Sequence, residues 1–132
     1  MGRTIEDFNS YLNQLDLPFE EVRPGMWVIH DEEDKVDNIF VTFSDPLVVF
    51  RVKIMDAPTN PIQKAELCEE LLKINATEMI AGAYGLEGNS VVITDTLQSE
   101  NLDYNEFQAS VDALTMAISH HYPLLSKYQQ KN

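Results

Sequence analysis

The stretch Leu47-Val48-Val49-Phe50-Arg51-Val52-Lys53-Ile54 decides the fold class. Val48, Phe50, Val52 and Ile54 fall on one face and Leu47, Val49, Arg51 and Lys53 on the other, the period of two that a β-strand imposes. The two cations mark the outward side, so the first set is expected in the core, and a slip of one residue would invert every position. Upstream, Met26 to Ile29 and Ile39 to Phe43 read as two further strands, with Pro24-Gly25 and Asp45-Pro46 as turn signals. The same alternation sends Ile39, Val41 and Phe43 inward and leaves Phe40 and Thr42 outside. The outward face therefore carries Phe40, Leu47 and Val49, large apolar residues where contact with solvent alone would favour polar ones. These three are the expected partner-binding surface, suited to an extended peptide or another subunit.

Helices flank this meander. Thr4 followed by Asp7 forms a near capping box, and Ile5, Phe8, Leu12 and Leu15 then recur at helical spacing up to the break at Leu17-Pro18. Asn60-Pro61-Ile62-Gln63 opens a second helix running to about Ala76, since Asn caps and Pro fits the first turn. Ala81 to Leu86 and Val91 to Leu97 read as a hairpin around Glu87-Gly88-Asn89. Asp103 and Glu106 begin a long last helix, with Leu102 and Phe107 at the staple positions and Pro123 expected to bend or interrupt it. The expected plan is α+β, an antiparallel sheet packed with helices in the order α-β-β-β-α-β-β-α, within a single domain over 1–132.

The second helix is apolar over more than one stripe. Ile62, Ala65, Cys68 and Leu72 lie along one side, while Leu67, Leu71 and Ile74 continue the arc to another. One stripe suffices to dock on a sheet. The expectation is that Ile62, Ala65 and Leu72 face the sheet and that Leu67, Leu71 and Ile74 form a homodimer interface with a second copy, the alternative being that the long last helix covers this arc within one chain.

Charge narrows the partners. Nine Lys and Arg stand against 22 Asp and Glu, a net charge of −13, and no basic cluster opposes that field, so nucleic acid and anionic membranes are not expected. No apolar run approaches the roughly 20 residues that span a bilayer, and the start at Met1 lacks a hydrophobic signal core, which suits a cytoplasmic protein. The single cysteine, Cys68, forbids an internal disulfide and fits a reducing compartment.

Motifs for chemistry are weak. Asp31, Glu33 and Asp37 lack the turn glycine and terminal glutamate of a calcium loop, so a solvated connection is the better reading. Gly82, Gly85 and Gly88 do not have dinucleotide-fingerprint spacing, and no G-x-S-x-G is present. His120 and His121 are adjacent, so on a helix they are expected to diverge rather than share a metal. Asn75-Ala76-Thr77 matches a glycosylation triplet, which has no meaning without secretion. No catalytic residue, metal ligand or cofactor is therefore expected, and the alternative is a small-ligand binder or enzyme of unidentified chemistry.

Short motifs carry a resemblance. Leu71-Leu72-Lys73-Ile74-Asn75, the hairpin Tyr84-Gly85-Leu86-Glu87-Gly88-Asn89 with Val91-Val92-Ile93, Val111-Asp112-Ala113-Leu114 and Tyr122-Pro123-Leu124-Leu125 are similar to the YbjN family of bacterial proteins. More distantly, the chain resembles the class I type III secretion chaperones. The resemblance implies a small cytoplasmic, non-enzymatic protein, dimeric, with a protein-binding or regulatory role. Secretion chaperones of this fold hold an effector segment extended over apolar surface.

Overall fold

The computed structural model describes residues 2–31, 36–79 and 81–129. Its elements in chain order are α1 (Ile5–Leu15), β1 (Phe19–Arg23), β2 (Met26–Asp31), β3 (Val36–Ser44), β4 (Leu47–Asp56), α2 (Pro61–Thr77), β5 (Ala83–Glu87), β6 (Ser90–Gln98) and α3 (Tyr104–Leu125). A short 3-10 turn, Ser126–Tyr128, follows. The expected elements are all present in the expected order, and β1 is an additional strand between the first helix and the three expected strands. The calcium reading of Asp31 to Asp37 falls largely outside the described residues.

The six strands form one sheet in the order β1-β2-β3-β4-β6-β5, with every neighbouring pair antiparallel. Hairpins link β1 through β4, α2 then crosses to β5, and the chain returns as β6 between β4 and β5. Trp27 pairs with Val41 and Val41 with Phe50, so these side chains share the inward face, as do Ile39, Val52 and Ile93. Against that face the helices place Phe8 and Leu12 of α1 and Phe107, Val111, Leu114 and Ile118 of α3. Phe8 lies 4.9 Å from Phe43 and 6.1 Å from Phe107, and Phe50 lies 5.2 Å from Phe107, a chain of tilted rings through the core.

Local rules account for the element ends. Thr4 and Asp7 complete a reciprocal capping box on α1, and Asp103 with Glu106 does the same on α3. Asp16 closes α1 in the left-handed region at φ 59°, one residue ahead of Leu17-Pro18. Asn60 accepts from the amides of Ile62 and Gln63 to open α2. Pro123 sits in the last turn of α3, where its missing amide costs a single bond, and the helix runs through it to Leu125.

Two expectations need adjustment. Val48, Phe50 and Val52 are buried and Lys53 is exposed, as the alternation requires, but Ile54 is only half-buried and Met55 takes the inward place. The register between β4 and β6 shifts between Lys53 and Met55, and a bulge of this kind reverses the alternation beyond it.

The second adjustment concerns α2, whose two apolar sides are exchanged. Leu67, Leu71 and Ile74 join the chain's own core, so they are not free to meet a second copy, while Ile62 and Leu72 are 71% and 68% exposed. Volume decides this. Leu67, Leu71 and Ile74 fill the space beside Tyr84, and the opposite side carries Ala65 and Ala76 between its two large residues.

Asn75 explains how α2 is held against β5. Its Nδ2 donates to the carbonyl of Tyr84 at 2.9 Å and its Oδ1 accepts from the Tyr84 amide at 2.8 Å. The carboxamide thus stands where a further strand would pair and closes the sheet edge at that point. No described helix is long and apolar enough to cross a membrane.

Candidate functional site

Helix burial is one-sided. Every buried apolar residue of α1, α2 and α3 belongs to the cluster on the inward face of the sheet. The opposite face presents β-strand side chains in two registered rows. Val28 pairs with Phe40, Phe40 with Arg51 and Arg51 with Thr94. Next to that row, Met26 pairs with Thr42, Thr42 with Val49 and Val49 with Thr96.

The three residues expected to bind a partner lie on this face together. Phe40 and Val49 are half-buried by their strand neighbours, and Leu47, near the end of the face beside Gln98, is 41% exposed. Sequence reading missed Val28 and Val92. Both are buried but lie outside the core cluster, because Val28 sits beside Phe40 and Val92 beside Lys53 on the outward side. Alternation in Met26 to Ile29 points to Val28, but a run of four apolar residues hides which side faces out.

Two cations on the face are paired, and Glu20, beside Val28 on β1, adds an exposed carboxylate at its edge. Arg51 pairs through both Nε and Nη2 with the Glu87 carboxylate, bridging β4 to β5 across β6. Lys53 pairs with Asp56 at 3.0 Å. Such exposed pairs contribute little stability, about 0–1 kcal/mol each, but they neutralise the cations that would otherwise break an apolar surface. What remains is a shallow, mixed apolar and threonine-lined platform that can receive an extended chain through side-chain contacts.

On the helical side of the molecule, the end of α2 meets α3. Glu78, the C-cap of α2, places its Oε1 3.6 Å from the Nε2 of His120 and 3.5 Å from the Nε2 of His121. Adjacent histidines on a helix were expected to diverge, and their Cα–Cβ vectors do so by about 100°. The rings nevertheless turn back, with centroids 5.1 Å apart, and both reach the same carboxylate.

This fold recurs among solved structures. YbjN from E. coli is 15% identical, with a TM-score of 0.68 over 93% of this chain and 94% of that one. The ExoU–SpcU heterodimeric complex of the Pseudomonas aeruginosa type III secretion system gives 15% identity and a TM-score of 0.67, covering 87% and 94%. The HopA1–SchA chaperone–effector complex gives 11% identity and a TM-score of 0.61, covering 87% and 89%. At these identities the likeness is one of fold. No curated protein matches the chain by sequence. The family comparison goes further than fold: the CesT_Tir_1 model matches residues 1–131, and the chain belongs to that family.

Proposed function

We propose that this chain is a non-enzymatic, chaperone-like protein-binding module that works as a homodimer in the cytoplasm. Its partner is a protein segment that lies extended across the outward sheet face. The observation that carries this reading is the platform of Phe40, Leu47 and Val49, with Val28 and Met26 beside them, on a sheet whose helices pack on the other side. Family membership supports it, as does the fold shared with a chain of the HopA1–SchA chaperone–effector complex. A net charge of −13 favours partners with basic segments over nucleic acid.

The dimer contact belongs on the outward side of α2. Ile62, Ala65, Leu72 and Ala76 fall within about 80° of one another on a wheel of 100° per residue and are exposed. Two small residues in that stripe let a second helix approach closely, and a twofold axis uses the same stripe from both copies. Glu69 falls within that stripe, and Lys73 at its border pairs with the carboxylate at 3.3 Å, so the one charge inside the contact is partnered.

Partner capture tests the sheet face. Val49→Asp and Leu47→Asp are each expected to lower capture of a protein partner at least tenfold while the thermal midpoint stays within a few degrees of the wild type. Leu47 is the safer of the two, being the more exposed. Undiminished capture by both variants, or a small molecule as the sole co-purifying species in mass spectrometry, contradicts the reading.

A further inference from the structure

Burial of His121 poses a hydrogen-bonding problem. Its side chain is only 6% exposed, and its Nε2 is buried without a hydrogen-bond partner. Its Nδ1 lies 2.9 Å from the Tyr84 hydroxyl, which in turn lies 3.5 Å from the carbonyl of Ala117. The Tyr84 phenol carries its proton at neutral pH. Its hydroxyl can donate to His121 Nδ1, which puts the ring proton on Nε2 toward Glu78, or donate to Ala117 and accept from Nδ1–H of His121. The second arrangement leaves a bare lone pair on His121 Nε2, 3.5 Å from a carboxylate oxygen of Glu78. Two acceptors this close, one of them on a buried ring, are favoured by a cation between them.

We propose that Glu78, His120 and His121 form a binding site for a divalent transition metal, with zinc as its natural occupant. The three candidate ligand atoms all lie within 4.8 Å of one another. Ligands held about 2.0–2.2 Å from a tetrahedral zinc stand roughly 3.3–3.6 Å apart. The observed Nε2–Oε1 separations of 3.6 and 3.5 Å meet that spacing, and the His120–His121 separation, within 4.8 Å, is brought to it by rotation of the exposed His120 ring. Two imidazoles and a carboxylate suit zinc better than calcium or magnesium, which prefer all-oxygen shells. With the metal bound, Nδ1–H of His121 donates to the Tyr84 hydroxyl, the supporting contact that fixes a ligating imidazole in the required tautomer.

Position adds a further argument. Glu78 caps the C-terminus of α2, where the helix dipole is negative, and no basic residue stands in the last turn. His120 is 74% exposed, so the fourth coordination position opens to solvent and is filled by water. The bound ion would pin the end of α2 to α3, with β5 held through Tyr84.

Zinc titration of tag-free protein against a chromophoric chelator tests this, with cobalt as a spectroscopic stand-in. One zinc per chain is expected, together with the visible absorption bands of tetrahedral cobalt and a zinc-dependent rise in the thermal midpoint. Glu78→Gln and His120→Ala alter exposed side chains, so both should fold, and each should weaken zinc at least tenfold and abolish the midpoint rise. Equal zinc affinity in the wild type and both variants would mean scattered binding to surface carboxylates and would overturn the site. Failure of the wild type to compete with the chelator would overturn it too.

Discussion

Leu71→Glu is expected to leave the chain largely unfolded at 25 °C. Leu71 is 4% exposed and packs in the core with Leu67, Ile74 and Tyr84. Losing a buried leucine costs about 2–5 kcal/mol, and an unpaired carboxylate in the same place costs several more. A domain of this size has roughly 5–15 kcal/mol of stability in total, so one substitution removes most of it. Far-ultraviolet circular dichroism and thermal melts will register the loss. A folded, monomeric Leu71→Glu protein would return Leu71 to a subunit interface and show that the burial described for α2 is wrong.

Leu72→Lys, one position along, should do the opposite. Leu72 is exposed in the single chain, so the substitution should shift monomer stability by only about 0.5 kcal/mol. In the proposed dimer two copies of Leu72 lose about 1.5–3 kcal/mol of apolar transfer each, which raises the dissociation constant about a hundredfold or more. Lysine also reduces the negative charge on each subunit, so dissociation here cannot be blamed on added repulsion. Sedimentation or light scattering should show a wild-type dimer at tens of micromolar, strengthened by moderate salt, and a folded Leu72→Lys monomer. A wild-type monomer under those conditions, or a variant that stays dimeric, rejects the α2 interface.

The pair Leu71 and Leu72 also shows where sequence reading runs out. A helical wheel identifies two apolar arcs on α2 but contains no term for what each arc meets. The choice is made by the space under β5, which takes three branched residues and leaves the alanine-bearing side outside. Strand β1 was missed for a related reason. Phe19-Glu20-Glu21-Val22-Arg23 has one inward apolar residue, because an edge strand needs little burial and tolerates charge. By contrast β4 was legible almost to its end, since the alternation of Val48, Phe50 and Val52 against Leu47, Val49 and Arg51 is unbroken until the bulge at Lys53.

The candidate sites divide in the same way. Phe40, Leu47 and Val49 share a face because strand period and antiparallel register are local rules, and both could be read from the chain. The grouping of Glu78 with His120 and His121 depends on where α3 crosses the end of α2, a contact between residues about 40 positions apart. No spacing in the sequence announces it. The helical rule that neighbours diverge holds for the backbone vectors, but imidazole rings are long enough to converge on a third group.

Photo-crosslinking in living cells addresses the sheet face most directly. A benzophenone amino acid at position 40 places the reactive group on the outward face, and one at position 116, on an exposed turn of α3, serves as the control. The account predicts a discrete adduct between the position-40 protein and another polypeptide, lost when Val49→Asp is added, with no such adduct from position 116. Adducts confined to position 116, or a position-40 product containing only a second copy of this chain, would contradict the assignment of the sheet face to a protein partner.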